Sequence, residues 1–281
     1  MRSILASFRL FMIVLTSCEV LLSLFLVRVI FGNGAYGVKV RGFVWQWHMK
    51  FLCRVCGLNV HLESSFPLVE MGNSRFILVA NHINYFDVII LGALARMGFL
   101  AKYELRNWPL FGQLSVLMGT LFVKRDCVWN RTGTLRSLTA GLGQRSYCIF
   151  PEGTTTFDSY PDRNIWMDGS FHAAKATRSR IICAGYYYED QDKLAWVGDM
   201  DLVPHLWSVL QRPRINIYLT MAEVKFSGRE TARELSALAY SKVKEACLLS
   251  KQRNLDCGVA PAEDGGWNSP LLSKEREIQP L

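Results

Sequence analysis

Arg75-Phe76-Ile77-Leu78-Val79-Ala80-Asn81-His82-Ile83-Asn84-Tyr85-Phe86-Asp87 is the stretch on which the fold turns. Arg75 to Ala80 is a short apolar run that stops at polar residues, the pattern of a buried strand. Val88 to Met97 follows, apolar apart from Arg96, and reads as a helix. Buried strand, polar turn and apolar helix together are half of an α/β unit.

The same alternation continues outward. Thr120–Val123 reads as a strand and Thr132–Leu142 as a helix, with Gly141 and Gly143 near its end. Tyr147–Phe150 is a strand running into Pro151, and Arg180–Tyr187 and Ile215–Thr220 are further β-rich runs. Glu230–Leu249 is the clearest helix, because Leu235, Leu238, Ala239, Val243, Ala246 and Cys247 make one apolar stripe. These elements predict an α/β domain over residues 59–257, a mixed sheet flanked by helices. No internal repeat interrupts it. Residues 258–281 are polar, contain Gly and Pro, and are expected to be a flexible tail.

Residues 1–58 read as membrane-anchoring helices. Leu10 to Val27 is apolar apart from Thr16, Ser17, Cys18, Glu19 and Ser23, and at about 1.5 Å per residue it comes close to a bilayer's hydrocarbon thickness. Glu19 near its centre makes a clean span costly, by roughly 2–3 kcal/mol or more. A helix lying in the interface lets Glu19 reach water. From Phe43 to Leu58, Val44, Trp47, Phe51, Val55 and Leu58 recur at helical spacing, with Gln46, Lys50 and Arg54 between them. Trp45 and Trp47 suit the headgroup region. An anchor of two hydrophobic or amphipathic helices is therefore expected in place of one span. An ordinary amphipathic helix packed on the domain remains the alternative for the second segment. Leu15-Thr16-Ser17-Cys18 has the form of a lipoprotein cleavage box, but the apolar run continues past it to Val27, which disfavours cleavage.

Charge agrees with that reading. The 281 residues carry a formal +8. Residues 1–60 hold seven basic groups and one acid, Glu19, while 258–281 are net acidic. A basic surface suits anionic partners. Membrane lipids are the expected ones, since no nucleic-acid motif accompanies the basic residues and none of that class is expected as a partner. Half the chain is apolar, which excludes a wholly disordered protein. The eight cysteines are scattered, several in apolar runs, and read as buried reduced thiols. Cys53 and Cys56 form a lone CxxC without a second pair at zinc spacing, so no metal is expected.

Three clusters carry chemistry. In the first, His82 and Asp87 flank a strand-to-helix turn. Five residues apart they lie about 140° from each other on a straight helix, but in a turn they can meet. Asp87 could then fix the imidazole tautomer and leave the other nitrogen to take a proton. The alternative is a helix cap beside an ordinary turn histidine. The second cluster is Phe150-Pro151-Glu152-Gly153-Thr154, where Gly153 permits a tight turn whose amides could hold an anion. The third is Gly119-Thr120-Leu121-Phe122-Val123-Lys124-Arg125, a strand delivering a guanidinium able to grip a phosphate. A solvated arginine is the plainer alternative. Lys102-Tyr103-Glu104-Leu105 and Trp108-Pro109-Leu110-Phe111-Gly112 lie between the first and third.

In this order, over roughly Asn59 to Ala184, the blocks resemble the glycerolipid acyltransferase family, which includes the 1-acylglycerol-3-phosphate acyltransferases. The resemblance implies a membrane-bound O-acyltransferase with its active site on the cytoplasmic face. The donor would be acyl-CoA or acyl carrier protein, used as a co-substrate with no further cofactor. It makes His82 the general base and Asp87 the residue that orients it. It places Arg125, Glu152, Gly153 and Thr154 at the acceptor's polar head, with Lys102 adding positive charge. The acceptor it puts first is 1-acylglycerol-3-phosphate, giving phosphatidic acid. The Glu-Leu-x-x-Trp-Pro stretch resembles a subgroup acylating lyso-ornithine lipid or other lysolipids, and keeps that acceptor open. Two departures bear on the acceptor more than on the chemistry: Thr155 and Thr156 follow the Gly-Thr pair, and Ile182-Cys183-Ala184 stands where the family has a Val-Pro block. A basic membrane-binding protein without turnover is the non-enzymatic alternative.

Overall fold

The computed structural model describes residues 1–124, 128–158 and 160–257. The expected tail 258–281 lies outside them, as do Arg125 and Cys127. Two long helices come first, α1 (Arg2–Phe31) and α2 (Ala35–Val55). After them come β1 (Leu58–Ser64), α3 (Glu70–Asn73), β2 (Phe76–Ala80), α4 (Phe86–Leu94) and β3 (Met97–Lys102). A 3-10 turn (Tyr103–Asn107) leads to α5 (Phe111–Leu117), β4 (Leu121–Val123), α6 (Val128–Leu142) and β5 (Ser146–Ile149). The chain ends with α7 (Gly169–Thr177), β6 (Arg180–Tyr188), α8 (Gln191–Leu194), α9 (Leu202–Leu210), β7 (Ile215–Val224) and α10 (Ala232–Cys257).

The strands form a mixed sheet in the order β1-β7-β6-β2-β5-β3-β4. β6, β2, β5, β3 and β4 run parallel, β7 runs antiparallel to β6, and β1 pairs parallel with β7. Every residue of β2 is buried. Phe76, Leu78 and Ala80 face a core shared with Trp45, Met49, Leu52, Ile90 and Leu91. Ile77 and Val79 face a second core with Leu138, Leu142, Phe171, Leu235 and Val243. A central parallel strand covered on both faces has no polar side, which is why β2 is an unbroken apolar run.

Several bounds shift, and two segments read as helix end in strand. The helix read over Val88–Met97 stops at Leu94, and Met97 opens a strand. Gly98 explains the switch: a Cβ there would sit 2.7 Å from the Tyr147 ring on β5, so the close strand contact excludes a side chain. The helix read over Phe43–Leu58 instead spans Ala35–Val55, and Leu58 opens β1. On β1, Asn59, His61 and Glu63 alternate with apolar residues, the pattern of an edge strand.

The two N-terminal helices are tied into the domain by buried guanidinium groups. Arg9 on α1 donates to the carbonyls of Leu210, Arg212 and Pro213, at the end of α9 and just past it. Arg41 on α2 donates to Gly32 O at the end of α1, at 2.7 Å. Gln46 donates to the carbonyls of Ala93 and Leu94, at the end of α4. Much of the remaining surface of α1 is apolar, with Phe8, Phe11, Leu22, Phe25, Leu26, Val29 and Ile30 exposed beside Arg2, Glu19 and Arg28. Over its most apolar stretch the mean hydropathy of α1 is 2.5, which makes it a candidate membrane anchor.

Candidate active site

The parallel run of the sheet decides where the clusters meet. β2, β5 and β3 all point their carboxyl ends to the same edge, where the chain leaves each strand into a loop. His82 follows β2, Glu152 follows β5, and Lys102 ends β3. Ligand sites of parallel α/β sheets lie at that edge.

His82 and Asp87 do meet. His82 Nδ1 lies 2.8 Å from Asp87 Oδ2, on the turn and the first turn of α4 respectively. A carboxylate can only accept here, so Nδ1 carries the proton in the neutral ring and Nε2 keeps its lone pair. The His82 ring stacks on Phe150 at 4.0 Å between centroids and 14° between planes, which fixes its tilt. Its side chain is 18% exposed, so it reaches the surface of the site.

The Asp87 side chain is fully buried. Oδ2 also accepts from the backbone N–H of Ile83 at 2.7 Å and of Asn84 at 3.0 Å. Oδ1 accepts from the Tyr188 hydroxyl at 2.6 Å. A buried carboxylate is tolerated when its lone pairs are taken by donors, and here four donors share the two oxygens. Asn84 Oδ1 accepts from Phe86 N, the first residue of α4, at 3.1 Å.

Glu152 is buried, and its oxygens are engaged by the chain's own donors. Oε1 accepts from Asp162 N at 2.9 Å and from Thr156 Oγ1 at 3.2 Å, and Oε2 faces His82 N at 3.4 Å. Burial pushes its carboxyl up to about 7, against the pull of those hydrogen bonds. Thr156 N donates to His82 O at 2.7 Å, so the loop after β5 is laced to the turn after β2. Gly153 has φ +70°, a conformation that a side chain would strain, and closes a tight turn by donating to Phe150 O at 2.9 Å.

The structure thus brings together His82, Asp87, Glu152 and Gly153. Thr154 lies exposed on the same turn, and Lys102 is exposed at the end of β3. Lys102 pairs in register with Val123 on β4, and Lys124 Nζ sits 4.2 Å from the Tyr103 ring centroid. Arg125 lies outside the described residues. Tyr188 was not singled out from the sequence, and Asn81 and Thr156 were named there without a role in holding His82. The signal for Tyr188 was the Tyr186-Tyr187-Tyr188 run that closes β6. Among the described residues no group of three His, Cys, Asp or Glu is arranged to hold a metal ion.

The acyltransferase family model matches residues 57–187. The lyso-ornithine lipid O-acyltransferase of Brucella abortus (strain 2308) is 27% identical over 273 residues, covering 88% of this chain and 96% of that one. The lyso-ornithine lipid O-acyltransferase of Pseudomonas aeruginosa is 30% identical over 223 residues, 76% of this chain and 81% of that one. The 1-acyl-sn-glycerol-3-phosphate acyltransferase of Neisseria gonorrhoeae is 27% identical over 168 residues, 58% of this chain and 65% of that one. The crystal structure of the 1-acyl-sn-glycerophosphate acyltransferase of Thermotoga maritima superposes with a TM-score of 0.64 at 20% identity, covering 94% of this chain and all of that one.

Proposed function

Because the chain belongs to the acyltransferase family, we propose that it moves an acyl group from a thioester donor to the hydroxyl of a lysolipid. The observation that carries this reading is the His82–Asp87 pair at the carboxyl edge of the sheet. His82 Nε2 takes the proton of the acceptor hydroxyl, and the oxygen attacks the thioester carbonyl carbon. The C–S bond breaks, and the leaving thiolate takes the proton back from the imidazolium. Acyl-CoA or acyl carrier protein is the donor in this reading, and no covalent acyl-enzyme is needed. Glu152 acts by shaping the turn beside His82, while Lys102, Thr154 and Arg125 supply the acceptor's polar contacts.

The acceptor is the finer question. The sequence alone puts 1-acylglycerol-3-phosphate first. Three of the lyso-ornithine lipid O-acyltransferases match over 81–96% of their length, against 65% for the Neisseria enzyme, which favours lyso-ornithine lipid. Similarity to the Neisseria enzyme keeps 1-acylglycerol-3-phosphate as the second reading. The anchor is monotopic in this reading, because a spanning α1 would pull Arg9 away from its three carbonyls. The catalytic edge then faces the cytoplasm, where thioester donors are found.

The test is acyl transfer by the detergent-purified protein, with a labelled acyl thioester and both lysolipids, beside His82→Ala. Labelled ornithine lipid, absent with the variant, is the expected result. Labelled phosphatidic acid alone would move the acceptor to the second reading. Transfer undiminished in His82→Ala would overturn the mechanism. No product from either lipid would leave the non-enzymatic membrane-binding protein.

A further inference from the structure

The turn that carries His82 is held at both ends by one strand, β6. At the entry, Tyr186 N donates to Asn81 Oδ1 at 2.9 Å, and Asn81 Nδ2 donates back to Tyr186 O at 3.3 Å. The side chain of Asn81 thus continues the β2–β6 ladder one residue past the strand. At the exit, Tyr186 donates its hydroxyl to Asp87 O at 3.2 Å, and Tyr188 donates its own to Asp87 Oδ1 at 2.6 Å. Residues two apart on a strand share a face, so both rings lie under the turn.

Tyr188 is fully buried and cannot touch a substrate. Burial and the neighbouring Asp87 carboxylate hold its phenol well above the usual range, so it stays a donor. Without it, Oδ1 would be a buried carboxylate oxygen with no donor named for it, and the carboxylate could turn to share its two oxygens between the imidazole and the backbone N–H groups.

We propose that Tyr188 is a positioning residue for the transfer: its hydroxyl occupies Asp87 Oδ1, commits Oδ2 to the imidazole, and so holds His82 in the tautomer that keeps Nε2 open. The proposal rests on the acyltransferase reading for its consequence in turnover, but not for its effect on the His–Asp hydrogen bond. That bond has a signature of its own, the proton NMR resonance of His82 Nδ1–H, displaced far downfield by a carboxylate acceptor and absent in His82→Ala.

The test is Tyr188→Phe, which removes one oxygen and keeps the ring. In the purified protein kcat falls about tenfold, the worth of one charge-assisted hydrogen bond in a rate, and KM stays within about twofold. The Nδ1–H resonance moves upfield, because Asp87 released at Oδ1 turns and no longer holds Oδ2 on the imidazole. In an Asp87→Asn background the same change has no further effect on kcat. An unmoved resonance, an unchanged kcat, or an undiminished loss in the Asp87→Asn background would each overturn the proposal. Site-specific 3-fluorotyrosine in place of Tyr188, a stronger donor of nearly the same shape, gives a second reading that does not depend on Tyr188→Phe folding: the resonance moves the opposite way. If the resonance responds to both changes but the parent transfers no acyl group, the Tyr188–Asp87–His82 coupling stands and the acyltransferase reading falls.

Discussion

Glu152→Gln separates the buried carboxyl's proton from its shape. Glu152 is 3% exposed, and its carboxyl is pushed up to about 7, from 4.5 in an open chain. Between those two pH values the folded protein holds a proton that the unfolded chain has released. Stability therefore falls as pH rises from about 4.5 to about 7, and the drop amounts to about 3 kcal/mol at 1.36 kcal/mol per pH unit. His48 on α2 works in the opposite sense. Burial lowers its imidazole from 6.5 to about 4, so the unfolded chain binds the extra proton and stability rises across that interval by a similar amount. In the parent these two slopes oppose each other between about pH 4.5 and 6.5.

The variant unmasks one slope. The glutamine side chain that Glu152→Gln introduces can keep its acceptor oxygen facing Asp162 N and Thr156 Oγ1, and it sets an amide against His82 N at the longest of the contacts. Urea unfolding in mild detergent, followed by tryptophan fluorescence from pH 5 to 8, gives both curves. The difference between parent and variant should swing by up to about 3 kcal/mol toward the parent as pH falls from 8 to 5. His48 and the other histidines cancel in that difference. Parallel curves across the range would refute the assignment of the titrating group.

Three further outcomes follow from packing. Arg9→Met keeps the bulk of the side chain but strands the carbonyls of Leu210, Arg212 and Pro213; an unfolding free energy lower by about 3 kcal/mol, measured in the same assay, is expected. Gly185→Ala would press a Cβ against Cys247 N and Ala246 C, both backbone atoms of α10, so the helix must move; a loss of about 1–3 kcal/mol is expected from thermal unfolding. Phe11→Glu with Phe25→Glu places charge on the exposed apolar side of α1, and sedimentation with anionic vesicles should show binding at least about tenfold weaker, since each buried phenylalanine contributes roughly 2 kcal/mol.

The fold was legible where one residue type settles the environment. β2 is apolar throughout because both its faces are covered, and Asn81 ends it because the chain turns there. β3 was not legible, since Met97-Gly98-Phe99-Leu100 resumes the apolar character of α4 after Arg96, and the Tyr147 ring and Gly119 O that crowd Gly98 are distant in sequence. The His82–Asp87 pair could be read because its members are five residues apart on one turn. Tyr188 could not, because it lies 101 residues further on and reaches Asp87 through the β2–β6 pairing. Glu152 was expected at the site from its motif and lies buried beside His82, but its partners Thr156 and Asp162 depend on how the following loop folds back.

The same contacts bear on how a water-soluble donor and a membrane-held acceptor would meet at one imidazole. α1 carries the apolar surface, and Arg9 fastens it to the end of α9 and the chain just past it. On α9, His205 Nδ1 lies 3.2 Å from the hydroxyl of Tyr85, which sits on the turn between His82 and Asp87. The helix that would lie in lipid is therefore joined to the turn holding His82 through two side-chain contacts, with no flexible linker between them. An anchor on a loose tether would raise the local concentration of lipid and nothing more. One built into the core also sets the height and tilt of the catalytic edge above the bilayer. A lysolipid could then present its hydroxyl without leaving the membrane, and most of the cost of ordering it would be met before the reaction begins.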